Sequence, residues 1–290
     1  MPNIFDIIVS VVFDGVSFAI ILFIVSVGLS VTMGLMGFAN LAHGAFAMIG
    51  GYFAASAMSQ LGIPFLLAVL LAAVATGLVS VPFERFLYRP LYQASLLDQA
   101  KLTIGLVFIS VAMATMIWGP LNIQLQIPDY LSGQVDLGFR KFPTYRAFLN
   151  VVGLAAIIGL WYGIERTTIG AMIRAAVDNR VMAQSVGIDV DRLFTLTFAL
   201  GSALAAMGGA LGIRILGLTP TFAIEYLVYF LVVVAVGGLG SIRGAFFAAL
   251  TLGIVDNAGK YFFPKLGAFF FFMVTFIVLL KWPNGLFGRR

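Results

Sequence analysis

Apolar residues run through this chain in long blocks separated by short polar clusters, with little strand-like alternation. A helix needs about 20 consecutive apolar residues to cross the hydrocarbon of a bilayer. Blocks approaching that length fall at Ile7–Met33, Phe38–Met58, Pro64–Phe83, Leu102–Trp118, Phe148–Gly163, Leu193–Leu216, Tyr226–Leu239, Ala245–Phe262 and Leu266–Leu280. The pattern predicts an all-α integral membrane protein of about eight or nine transmembrane helices, at least one of them broken or re-entrant. Two blocks suggest the break. Phe38–Met58 opens with Asn40 and His43, and Tyr226–Leu239 is short and ends in glycines. Interrupted backbone at membrane depth survives only where protein or water covers it.

Two connections are long. Gly119 to Tyr145, on the outer side, is punctuated by Pro120, Pro128, Gly133, Gly138 and Pro143, whereas Ile164 to Arg192, on the inner side, reads differently, as a helix. Thr168 can cap a helix from about Ile169 to Val186, Gly187 can end it, and Asp189 or Asp191 can cap the next span. Its apolar Ile169, Ile173, Ala176, Met182, Ala183 and Val186 are set among Arg174, Asp178, Asn179, Arg180 and Gln184. Such a helix suits the membrane surface or a partner's groove. Residues 1–290 read as a single polytopic domain, with 164–192 a loop inside it and no stretch suited to an ATPase fold or a solute-binding lobe. Met1 to Asp6 carries no Lys or Arg, so the first block reads as a retained span rather than a signal peptide.

Composition narrows the class. Of 290 residues, 61% are hydrophobic and 10% charged, against about half and a quarter in a soluble domain. The 32 glycines favour close helix approach. With no cysteine and a lone histidine, His43, the chain offers no disulfide, zinc–thiolate, iron–sulfur or multi-histidine site, and no cofactor or metal is expected. A net charge of +5 is explained by positive-inside bias rather than by nucleic acid. With the N-terminus outside, the C-terminus inside and nine crossings, 11 of the 17 Lys and Arg lie inside, among them Arg289 and Arg290. Six lie outside, Arg140 among them.

Polar residues inside spans are costly and often functional. Asn40 and His43 either line a solute path or satisfy backbone groups at a helix break. Asp14, Asp256 and Asn257 either line the path or cap a kink. Glu84 and Arg85 suggest a structural ion pair, and Thr103, Ser110 and Thr115 suggest bonds back to their own helix. Gly37 with Gly44–Phe46 is echoed 200 residues later by Gly237 with Gly244–Phe246. Paired glycine-interrupted segments of this kind occur in transporters with repeats. An intramembrane enzyme would need an acid/base or nucleophile constellation, which is missing.

Four ordered motifs carry a resemblance across nearly the whole chain. Thr167–Gly209 (TTIGAMIRAAVDNRVMAQSVGIDVDRLFTLTFALGSALAAMGG) resembles the coupling loop and following span of the branched-chain amino acid ABC permeases, H-type, through Gly170, Arg174, Ala175, Ala183, Gly187, Ile188, Asp191 and Arg192. Gly34–Tyr52 resembles that family's Asn-x-Ala-His-Gly signature, Phe83–Pro90 its Glu-Arg-x-x-Tyr-Arg-Pro loop, and Gly237–Ala245 its glycine-rich segment. The WPNGLFG ending is similar too. The resemblance implies a transmembrane permease subunit of an ABC importer for branched-chain or other hydrophobic amino acids, in the bacterial inner membrane. The implied partners are two cytoplasmic ATP-binding subunits, a second permease, a periplasmic solute-binding protein and membrane lipid. Gly170, Arg174, Ala175, Asn179, Ala183 and Gly187 are the implied ATPase-coupling residues. Asn40, His43, Gly44, Gly237 and Gly238 are candidates for the substrate pathway. Ala45, Arg243, Glu225, Tyr226 and Tyr229 depart from the family pattern and leave amide, urea-like and aromatic solutes open. An ion-coupled carrier or channel working without an ATPase is the alternative.

Overall fold

The structure, a computed structural model, describes residues 4–38, 40–125, 127–136 and 141–288. Arg140, Arg289 and Arg290, counted above in the charge distribution, lie outside the described residues. The longer helices are α1 (Ile4–Met36), α2 (His43–Leu61), α3 (Phe65–Phe83), α4 (Leu96–Trp118), α6 (Thr144–Glu165) and α9 (Val190–Leu216), followed by α11 (Leu227–Gly237), α12 (Ile242–Phe262) and α13 (Gly267–Lys281). Short helices α5 (Asp129–Ser132), α7 (Thr168–Asp178), α8 (Arg180–Ser185) and α10 (Phe222–Glu225) fill the connections. Among the described residues, five helical stretches are long and apolar enough to cross a membrane: Ile4–Gly34, Phe65–Leu91, Leu96–Trp118, Thr144–Gly163 and Val190–Leu216.

The centre is an antiparallel pair, α1 and α9, wrapped by α2, α3 and α12. From Phe18 to Leu29, α1 is buried all round, as an evenly apolar helix must be. Small residues set the spacing. Gly28 faces Gly201, Gly208 faces Val25, and Gly253 of α12 faces Ala19. Without side chains between them the backbones approach closely and gain dispersion contacts that lipid does not supply. By contrast α4, α6 and α13 expose apolar rows, such as Phe108, Ile109 and Met116 or Val151, Leu154 and Ile158, suited to lipid.

Of the two blocks that suggested a break, the first shows one. Helix α1 ends at Gly37 in a left-handed turn (φ 62°), and α2 begins only at His43. Phe38, Asn40 and Ala42 in the non-helical stretch between them are buried in protein. Further on, Tyr226 separates α10 from α11. The glycine echo falls at matching places, since Gly44–Phe46 opens α2 and Gly244–Phe246 lies in the first turns of α12.

The Gly119–Tyr145 connection holds α5 and an antiparallel hairpin, β1 (Gln134–Asp136) with β2 (Lys141–Pro143), pairing Val135 with Phe142. Phe142 packs on Phe13 with ring centroids 4.3 Å apart, and the Tyr145 hydroxyl donates to Leu211 O at 2.6 Å, so the connection is pinned to α1 and α9. Helix α4 starts at Leu96 rather than Leu102, because Ser95 caps it by accepting from Asp98 N at 3.2 Å. Contrary to expectation, Glu84 forms no ion pair with Arg85 among the described residues. A π-turn over Glu84–Tyr88 turns both Glu84 and Tyr88 inward, and the Glu84 carboxylate accepts from Tyr92 Oη at 2.5 Å and Thr195 Oγ1 at 2.7 Å. Burial and that carboxylate push the Tyr92 phenol up, so it remains a donor. Tyr92→Phe should cost about 1.5–3 kcal/mol, the range for a hydrogen bond to a charged group, read as a lower Tm of the purified protein. An unchanged Tm would remove this anchor from the account.

Candidate functional site

The loop between α6 and α9 folds into two helices set at an angle, where the sequence suggested one. Thr167, one residue before the expected cap, accepts from Gly170 N at 3.1 Å and starts α7. Asn179 then adopts extended backbone (φ −155°, ψ 100°), ending α7, and its side chain accepts from Met182 N at 3.0 Å to cap α8. The short side chain that competes with helical backbone in a helix interior is favourable as a cap. Gly187, at φ 88°, closes α8, and Ile188 N donates back to Ala183 O. Asp189, not Asp191, caps α9 by accepting from Arg192 N at 3.0 Å.

This unit has its own small core. Ile173, Ala176 and Ala183 pack on Val190, Leu193 and Phe194 of α9, with Val31 and Met36 of α1 and Tyr92 against them. Asp191 is free to bind two guanidiniums, pairing with Arg89 and, at 3.4 Å, with Arg180. The Arg180 guanidinium also lies 4.9 Å from the Phe194 ring centroid, within cation–π range. The loop is thereby joined to the C-terminal end of α3 and to both central helices.

Its other face is open. Val181 is 72% exposed and Val186 71%, with Met182 and Ile169 also exposed. Around them lie exposed Arg174, Asp178 and Gln184. Of the expected coupling residues, Arg174, Ala175, Asn179 and Gly187 are exposed, whereas Gly170 and Ala183 are buried. The first four can touch another molecule; the last two hold the unit in shape.

The proposed pathway residues divide into two places. Asn40 Oδ1 accepts from Tyr88 Oη and from Ala42 N, both at 3.1 Å, while its Nδ2 is buried without a partner. His43 Nε2 is 3.0 Å from Val25 O. Asn40 thus ties the backbone at the break between α1 and α2 to Tyr88, whereas His43, at the start of α2, reaches a carbonyl in the middle of α1. A Cβ on Gly44 would sit 2.9 Å from Ala223 O, so this glycine brings α10 against the start of α2. Gly237 and Gly238 lie elsewhere, at the turn from α11 to α12. Gly237 abuts Gly244 and accepts from Phe287 N, while Gly238 (φ 95°) abuts Gly288. Thr103, Ser110 and Thr115 bond back to Gln99 O, Leu106 O and Val111 O, as expected.

One grouping was not visible in the sequence. At the end of α9 remote from α7 and α8, a cleft of about 410 Å³ is lined by Asp14, Arg146, Glu225, Tyr226, Tyr229, Asp256, Asn257 and Lys260, with Phe18, Ile215 and Leu216. Asp14 pairs with Arg146, Lys260 Nζ lies 2.6 Å from Asp256 Oδ2, and Asn257 Nδ2 donates to Val11 O at 2.8 Å. The only signal for it was the set of polar residues in apolar blocks, spread over 246 positions.

Residues 11–279 match a family model described as "Branched-chain amino acid transport system / permease component". The chain is 27% identical to the high-affinity branched-chain amino acid transport system permease protein LivH of Escherichia coli, over 96% of this chain and 94% of that one. It is also 27% identical to the high-affinity branched-chain amino acid transport system permease protein BraD of Pseudomonas aeruginosa, over 92% and 91%. Among solved structures, PsaBC from Streptococcus pneumoniae in complex with Fab is similar in fold, with a TM-score of 0.50, 12% identity, and coverage of 92% of this chain and 89% of that one.

Proposed function

The chain belongs to the branched-chain amino acid transport permease family, and from that premise we propose that it is the membrane-embedded permease subunit of an ABC importer for branched-chain or other hydrophobic amino acids. It is a transport subunit rather than an enzyme, and ATP is hydrolysed by its partners. The observation that carries the mechanism is the α7–α8 unit, which is apolar and open on one side and packed on α1 and α9 on the other. A cytoplasmic ATP-binding subunit seated on Ile169, Val181, Met182 and Val186 acts directly on the two central helices. Its docking free energy must differ between its ATP-bound and free states, since a partner that binds both conformations equally shifts neither.

The membrane arrangement follows from the same reading. Nine crossings put the N-terminus outside and α7–α8 inside, with the Lys and Arg excess on the inner side. Residues 222–237 span only about 24 Å as helix, short of the roughly 30 Å hydrocarbon. Residues 217–221, in which Leu218 and Pro220 are buried, supply the rest of that crossing as non-helical backbone. The assembly contains two ATP-binding subunits, a second permease and a periplasmic binding protein, in the bacterial inner membrane. Asn40, His43 and Gly44 beside α10, with Gly237 and Gly238 at the inner turn, border the solute path.

The test is uptake by proteoliposomes containing this chain and its co-expressed partners. ATP-dependent leucine uptake competed by valine and isoleucine is expected. Flux that persists with an ATPase-dead partner and clamped gradients would instead favour the ion-coupled carrier or channel. Arg174→Glu tests the docking face more narrowly, since it should lower both ATPase co-purification and transport by about tenfold, on the scale of an interfacial charge reversal, while membrane insertion is retained. Unchanged transport would count against docking at this position.

A further inference from the structure

The cleft at the far end of α9 has an unbalanced charge. Its lining holds three carboxylates, Asp14, Glu225 and Asp256, against two cations, Arg146 and Lys260. Asp14 is matched by Arg146, and Glu225 accepts from Thr221 Oγ1 at 2.5 Å at an exposed position. Asp256 differs from both. The residue is 1% exposed, Lys260 reaches only Oδ2, and Oδ1 is buried with no hydrogen-bond partner. A buried carboxylate oxygen without a donor is an unfavourable arrangement, relieved by whatever brings a donor to it.

The walls indicate what kind of donor fits. Tyr226 and Tyr229 stand with ring centroids 5.9 Å apart. Tyr226 is held by donating to Leu216 O at 3.2 Å, and Tyr229 packs on Phe271 at 4.6 Å. Tyrosine faces attract a cation within about 6 Å, and an ammonium has three N–H donors to direct at a carboxylate. Phe18, Ile215 and Leu216 line the rest of the cleft with apolar surface for an aliphatic side chain. Arg146 and Lys260, although paired with Asp14 and Asp256, keep further N–H donors for a neighbouring carboxylate.

We propose that this cleft is a binding site for the solute on its way to the permeation path, with Asp256 Oδ1 accepting from the α-ammonium group between Tyr226 and Tyr229. The ligand class is a zwitterionic amino acid with an aliphatic side chain. The inference rests on the importer reading and adds to it the group that recognises the solute. Three of the five positions that depart from the family pattern, Glu225, Tyr226 and Tyr229, lie in this lining.

The absence of cysteine makes a direct test possible. In the assembled complex, Glu225→Cys places one thiol at an exposed position of the lining, and its labelling by a membrane-impermeant maleimide is followed with ATP-driven leucine uptake measured in parallel. L-Leucine is expected to slow labelling, whereas 4-methylpentanoate, which has the same aliphatic carboxylate skeleton without the ammonium, should leave it unchanged. Adding Asp256→Asn should raise the leucine concentration for half-protection about tenfold to a hundredfold, the loss of one charge-assisted hydrogen bond. Equal protection by both compounds overturns the proposal on the Asp256-containing protein alone, and so does protection that survives Asp256→Asn. Labelling unaffected by leucine while uptake proceeds also overturns it and leaves the importer reading standing. Protection by leucine alone, without uptake, supports the site and counts against leucine import.

Discussion

Valine at position 209 is expected to eliminate the folded permease. A Cβ at Gly209 would lie 1.9 Å from Ala47 O and 2.5 Å from the same residue's carbonyl carbon. These are backbone atoms of α2, so no side-chain rotation relieves the clash. The two helices must separate, and the neighbouring contact of Gly50 with Ala206, where a Cβ would meet Ala206 Cα at 2.3 Å, separates with them. Overpacking of a close-packed interior commonly costs about 1–3 kcal/mol and sometimes more, and a backbone-to-backbone clash belongs at or beyond the upper end. The measurement is monodispersity and Tm of the detergent-purified protein. Gly105→Ala in α4 is the control: nothing lies within 4 Å of the added atom, and alanine gains up to about 1 kcal/mol in helix propensity over glycine. A Gly209→Val protein as stable as the parent would mean that α2 and α9 do not pack as described.

The second large effect is expected at the α7–α8 face. Val181→Asp combined with Val186→Asp should strip the ATP-binding subunit from the purified complex and abolish ATP-driven uptake. Burying a valine contributes at least about 1.5 kcal/mol, so losing two removes about 3 kcal/mol, more than a hundredfold in affinity, before the cost of burying two carboxylates is added. Both side chains are more than two-thirds exposed in this chain, so its own stability should change by no more than about 0.5 kcal/mol. That contrast separates docking from folding. Full retention of the partner by a normally folded double variant would rule out this face as the contact.

The sequence by itself determined the solvent of this protein and most of its helices. Runs such as Ile7–Met33 are too long and too apolar for anything but a bilayer-crossing helix, because unpaired backbone groups cannot be left in hydrocarbon. It also marked the break before α2, since Asn40 and His43 stand out in apolar surroundings, and its ordered motifs carried the family resemblance. Caps were legible to within a residue where a short polar side chain precedes a helix, as at Asp189. Thr167 was missed in favour of its neighbour Thr168, because adjacent threonines are chemically equivalent until the chain direction is set.

Only the tertiary structure decided the rest. Asn179 could have continued a helix or capped one, and the packing of Ile173 and Ala183 on α9 selects the cap. Glu84 beside Arg85 reads as an ion pair until the π-turn rotates Glu84 toward Tyr92 and Thr195. Glycine periodicity announces that helices approach closely but does not say which ones; the pairing of Gly28 with Gly201 and of Gly209 with Ala47 depends on the three-dimensional path of α1, α2 and α9. The cleft is the extreme case. Asp14, Arg146, Tyr226, Tyr229 and Asp256 are scattered along the sequence, and their opposite charges and ring faces acquire meaning only when α1, α6, α11 and α12 bring them together. Local pattern reports what each residue tolerates, whereas a site made by long-range contact exists only once the chain has closed on itself.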